Sequence, residues 1–242
     1  MRYIREEALE RGYAVSLITL DSKSSVRFNR MDQILGATVR EIEVPGCGQK
    51  GPASIFQALL EAMTSPAPDP QSKGALDALS NMGRWDYSTR LRSPALFVGL
   101  RAWIVGKLYD EHGTIPPEVE AWLCEPWQYH SRTKWLYERF VARLRKHFRD
   151  PRAAWQFYGR CVDTFRFERA EYRQSWDALD DLNDLARLCG LKGLVLLVDE
   201  FEDVVYNLRN IRYQTEAFWN LFRLFSGERF SGLSFYAVTP GI

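Results

Sequence analysis

Leu194-Val195-Leu196-Leu197-Val198 is an unbroken apolar run that stops at two acids, Asp199 and Glu200. A strand with one wet face alternates apolar and polar residues. A run without alternation, entered through Lys192-Gly193, predicts a parallel strand buried on both faces and therefore an α/β sheet. Ligand sites of open α/β sheets gather at the carboxyl ends of such strands. Carboxylates placed there suit a definite chemistry, with Asp199 holding a Mg²⁺ ion and Glu200 orienting a water for attack on phosphate. The plainer account is a core strand followed by a helix whose acidic first turn the helix dipole favours.

Composition narrows the field without naming a function. The chain has 242 residues, 46% hydrophobic and 26% charged, which is an ordinary globular balance with material for a sizeable core. A formal net charge of +1 gives no global pull toward nucleic acid or an anionic membrane, so any basic surface is local. Cys47, Cys124, Cys161 and Cys189 form no C-x-x-C pair, and no signal peptide is read at the start. Reduced thiols in a cytoplasmic protein are the expectation. His112, His130 and His147 lack zinc-site spacing, and no apolar run approaches the ~20 residues that span a bilayer.

Along the chain, Arg2 to Arg11 has helical composition with Gly12 as its stop, and Tyr13 to Leu20 reads as a strand. Helices are predicted over Met31–Glu43 and Pro52–Met63, and Ser65-Pro66-Ala67-Pro68-Asp69-Pro70 marks a linker. Helical periodicity then runs through 93–110, 116–124, 131–148, 152–166 and 170–189, with Trp103, Trp122, Trp135, Trp155 and Trp176 as core anchors. Phe201–Phe225 is predicted as one long helix broken by Ser226-Gly227, and Leu233–Val238 as a further strand. The division is 1–64 for the first part of an α/β core, 65–74 for a linker, 75–190 for a helical insertion or subdomain, and 191–242 for the rest of the core.

Thr239 ends the strand that follows the acidic one. In P-loop ATPases of the additional-strand type this place often carries a polar sensor of the γ-phosphate; alternatively Thr239-Pro240 only ends a ladder that proline cannot continue. The run Leu188 to Glu202 resembles the Walker B region of BREX-type phage-defence ATP-binding proteins, the BrxD-like group. The resemblance continues through Arg209-Asn210-Ile211-Arg212-Tyr213-Gln214, Ala217 to Arg223 and Phe235 to Pro240, and reaches the opening helix and strand. It implies a P-loop NTPase-type core of the additional-strand class with a large all-helical insertion, ATP and Mg as cofactors, and other defence-system proteins as partners. In that frame Asp199 holds Mg, Glu200 polarises water and Thr239 reports on the γ-phosphate. Arg209 and Arg212 are candidate contacts to nucleotide or a neighbouring subunit.

A phosphate-binding loop of the form G-x-x-x-x-G-K-[ST] is missing from these residues. Gly46-Cys47-Gly48-Gln49-Lys50-Gly51 has the wrong spacing, and Gly106-Lys107 is preceded by arginine at position 101 and followed by Leu108. The family places its loop just before the helix at which this sequence opens, so a fragment or degenerate core is expected. Such a core would neither bind ATP tightly nor hydrolyse it alone. A remodelled nucleotide site on Lys50 is the weakest alternative. Arg132, Lys134, Arg139, Arg143, Arg145, Lys146 and Arg149, interleaved with Trp135, Tyr137, Phe140 and Phe148, form a basic aromatic segment suited to DNA. More often such a segment is an amphipathic helix whose arginines face water or pair, here with Asp177, Asp180, Asp181 and Asp184. The competing function is a non-catalytic helical module that binds a protein partner or DNA.

Overall fold

The computed structural model describes residues 1–20, 26–64, 91–128, 152, 166–167, 170–202, 204, 208 and 210–238. Its centre is a mixed four-stranded sheet in the order β2-β1-β3-β4. β1 is Ala14–Thr19, β2 Ile42–Glu43, β3 Leu194–Asp199 and β4 Leu233–Tyr236. β1 and β3 run parallel from Ala14 opposite Leu194 to Thr19 opposite Asp199, and β3 and β4 run parallel with Val198 opposite Tyr236. β2 is antiparallel to β1.

β3 explains its own unbroken hydrophobicity. Leu194, Leu196 and Val198 belong to the main core, while Val195 and Leu197 point to the other face, where Ala8, Ile4 and Leu9 of α1 (Arg2–Glu10) cover them. Alternation persists along the strand, but both directions are dry. The main core is filled by α2 (Met31–Glu41), α3 (Pro52–Thr64), α4 (Pro94–Tyr109), α5 (Ile115–Cys124) and α6 (Arg173–Leu188). Trp103, Trp122 and Trp176 are buried in it as anchors. The described helices between α3 and β3 thus share one core with the sheet. The linker at 65–74, the predicted helix 131–148 and nearly all of 152–166 lie outside the described residues.

Two boundaries differ from the sequence reading. The helix predicted over Met31–Glu43 ends at Glu41, because Ile42 turns extended (φ −65°, ψ 132°) and pairs with Ser16 of β1. Glu43 is then held by Arg5 of α1 and by Lys50 at 3.2 Å. The long helix predicted over Phe201–Phe225 is interrupted: Val204 is helical, Leu208 and Asn210 are not, and α7 (Ile211–Phe225) starts after them. Asn210 is extended, and its side chain accepts the Arg212 N–H at 2.9 Å, which is an N-cap in the middle of the predicted helix. Phe201 and Glu202 form a turn. Among the described residues no helix is long and apolar enough to cross a membrane, and Cys47, Cys124 and Cys189 are free thiols.

Candidate functional site

Parallel pairing brings the carboxyl ends of β1, β3 and β4 to one edge. Three backbone hydrogen bonds stitch it together: Leu20 N–H to the Asp199 carbonyl (3.1 Å), Ala237 N–H to Val198 (2.9 Å) and Phe201 N–H to Ala237 (3.0 Å). Asp199 is half-buried at this edge and Glu200 is exposed. Asp199 Oδ1 accepts the Glu200 N–H at 3.1 Å. The sequence-predicted pair therefore sits where ligands of open α/β sheets bind.

Glu200 is held in the left-handed region at φ 57°. For a side chain with a Cβ this costs about 1–2 kcal/mol, and it persists only where surrounding contacts impose it. Here they do. Phe201 is buried, with its ring 5.0 Å from Phe28 and 5.4 Å from Tyr236, so the chain must reverse within one residue of Asp199. Glu200→Gly is expected to melt about 2–4 °C above Glu200→Ala, because glycine takes this φ without strain. A glycine variant that melts below the alanine one would mean that the left-handed turn is unstrained.

Arg212 is exposed on α7 and paired with Glu216 at 3.1 Å. Thr239 and Arg209 lie outside the described residues, as do Arg132, Lys134, Arg139, Arg143, Arg145, Lys146 and Arg149. Of the four acids offered as partners for that basic segment, three have the following partners among the described residues. Asp180 accepts from Ser231 and pairs with Arg92, Asp181 accepts backbone N–H groups of Arg92 and Ser93, and Asp177 pairs with Arg173. Lys50 is engaged by Glu41 at 3.4 Å and by Glu43, so the glycine-rich segment around it forms a bridge to β2. Gly106 packs α4 against Ile115: an ideal Cβ there would lie 2.9 Å from that side chain. Both glycine-lysine segments thus have structural work.

Mg²⁺ keeps several waters and binds through one or two carboxylates together with substrate phosphates. Asp199 fits as one such ligand. Among the described residues no group of three or more His, Cys, Asp or Glu side chains gathers as a metal cage.

Sequence reasoning missed a second concavity. A cleft of about 600 Å³ lies between α7 and the turn at 170–172, lined by Asn29, Tyr172, Trp219 and Arg223 among others. Its only signal in the sequence is the spacing of Arg212, Glu216, Trp219 and Arg223, which places them along one side of a helix. The chain matches no family model, no curated protein and no solved structure.

Proposed function

We propose that the chain is the Walker B portion of an ATP-binding core of the BREX phage-defence type. One observation carries this reading. Asp199 and Glu200 end a strand buried on both faces and flanked by parallel neighbours, and Glu200 is held in a strained conformation at that edge. In this reading Asp199 is the protein's ligand to Mg and Glu200 orients the attacking water. Thr239 contacts the γ-phosphate, and Arg209 or Arg212 serves nucleotide or a neighbouring subunit. Bound Mg-ATP supplies the phosphate oxygens and the charge neutralisation that phosphoryl transfer needs.

The phosphate-loop strand belongs, in the same reading, on the outer edge of β4. Among the described residues β4 has β3 as its one strand neighbour. Leu233 and Phe235 are exposed on β4, and α7 shows solvent a stripe of Ile211, Phe218, Phe222 and Phe225, with Phe225 81% exposed. This surface also supports the second reading, a module that docks on a protein partner such as another defence-system component.

ATP turnover by the product of the complete reading frame tests the proposal. Glu200→Gln is expected to cut turnover at least a hundredfold while ATP binding persists, and Asp199→Asn to weaken Mg-dependent binding as well. Turnover indifferent to both substitutions would sink the ATPase reading. A product with neither turnover nor Mg-dependent ATP binding would leave the interaction module in its place.

A further inference from the structure

Of the residues that line the cleft beside α7, the reading above uses Arg212 alone. One wall is the α7 face that presents Arg212, Glu216, Trp219 and Arg223. Trp219 is 60% exposed, and its ring meets that of Phe222 edge-on at 6.4 Å. Arg223 has no ion pair among the described residues, whereas Arg212 is tied to Glu216.

The facing wall is a strained turn. Ala170, Glu171 and Tyr172 take φ of 50°, 55° and 59° in succession, without a glycine among them. Left-handed backbone at consecutive non-glycine residues needs outside support and concentrates at ligand clamps. The turn is held by the start of α6, where Arg173 N–H reaches the Ala170 carbonyl and Trp176 N–H reaches that of Tyr172. The Arg30 guanidinium lies 5.8 Å from the centre of the Tyr172 ring.

Asn29 completes the cleft. It is 6% exposed, and its Nδ2 donates to Glu216 at 3.4 Å. Its Oδ1 is buried and has no hydrogen-bond partner among the described residues. A buried acceptor without a donor is rare in a folded chain. Asn220 fixes this corner by donating to the Phe28 carbonyl at 2.9 Å.

We infer that this cleft binds one nucleoside monophosphate unit, free or within a single strand of nucleic acid. The base stacks on Trp219 and the phosphate pairs with Arg223. A flat aromatic platform beside a guanidinium with no ion pair among the described residues suits a base and its phosphate. Glu171 and Glu216 balance the two arginines, so the cleft tolerates one phosphate and repels a triphosphate. AMP therefore binds better than ATP here, the reverse of the preference at the Asp199 edge.

The test uses the whole chain in EDTA, so that any Mg-dependent site is silent. Calorimetry with AMP and anisotropy with a short labelled oligodeoxyadenylate separate the two sources. Binding of either supports the inference and identifies which source is used. Trp219→Ala is expected to weaken that binding about tenfold and Arg223→Gln by a similar factor, while Asp199→Asn leaves it unchanged. Trp219 is exposed and Arg223 half-buried on a helix surface, so both variants should keep the wild-type melting temperature, which is checked first. No binding of AMP or oligonucleotide at millimolar concentration overturns the inference. So does binding that ignores both cleft substitutions, or that falls with Asp199→Asn. The ATPase reading survives each of these failures, because its own test needs Mg and Glu200.

Discussion

Asp181→Ala is expected to lower stability by about 4 kcal/mol, through the loss of an acceptor shared by two backbone donors, of which that of Ser93 is buried and that of Arg92 partly so. Asp181 is fully buried on α6. Its carboxylate receives the Arg92 N–H at 2.8 and 2.9 Å and the Ser93 N–H at 2.7 Å. Those residues lead into α4. Ser93 is the N-cap, its Oγ accepting the Leu96 N–H at 3.2 Å, and Pro94 follows at the first helical position. Alanine at 181 would strand both amides and loosen the start of a helix whose residues 95–106 are all buried. Burial pushes the Asp181 carboxyl up to about 7, with the Arg92 and Ser93 amides pulling the other way. Between its ordinary value near 4 and about 7, the folded chain holds a proton that the unfolded chain has released. This contribution to stability is therefore complete in acid and is lost as the pH rises through 7. Urea melts from pH 4 to 8 should show stability falling with pH, and a flatter profile in Asp181→Asn. An unchanged profile in that variant would remove Asp181 as the cause.

Gly36→Val is the second large effect, at about 3 kcal/mol. Gly36 lies in α2, where an ideal Cβ would stand 2.4 Å from the Cys124 carbonyl oxygen and 2.8 Å from the Trp127 ring. The obstacle is partly backbone, which cannot rotate out of the way, so α2 and α5 would have to separate. Arg40 fastens the same carbonyl with a hydrogen bond of 3.1 Å. Gly36→Ala is the sharper test, because alanine improves helix propensity by about 1 kcal/mol. It should still destabilise, by about 1 kcal/mol net. If the Gly36→Ala protein proves more stable in thermal melts, the two helices can move apart freely.

The sequence made some of this architecture readable and hid the rest for physical reasons. β3 was legible because a strand dry on both faces has to be apolar throughout, and Asp199 and Glu200 followed from where that run stops. α1, α3 and the end of α7 were legible from periodicity and from glycine or proline punctuation. β2 was not, because Ile42 and Glu43 extend α2's pattern, and only pairing with β1 and the Arg5 contact make them a strand. The start of α7 was hidden for the opposite reason. Residues 201–208 carry helical spacing, and the deciding signal was one asparagine suited to an N-cap. The cleft was the least legible feature. Asn29, Tyr172 and Trp219 are far apart in the chain, and Ala170-Glu171-Tyr172 contains no glycine or asparagine to announce a left-handed turn. The strain at Glu200 was equally silent, since it comes from where Phe201 packs.

The pairing of β1 with β3 has a consequence for how the protein is made. Thr19 and Asp199 are direct neighbours in the sheet, yet five of the seven described α-helices are synthesised between them. At about 5–20 residues per second, β1 leaves the ribosome roughly ten to thirty seconds before its partner exists. Through that interval an apolar strand has only the two residues of β2 to pair with, and α1 has half a surface to cover. The Asp199 edge is therefore assembled late in translation, after β1 has waited on that side without its parallel neighbour.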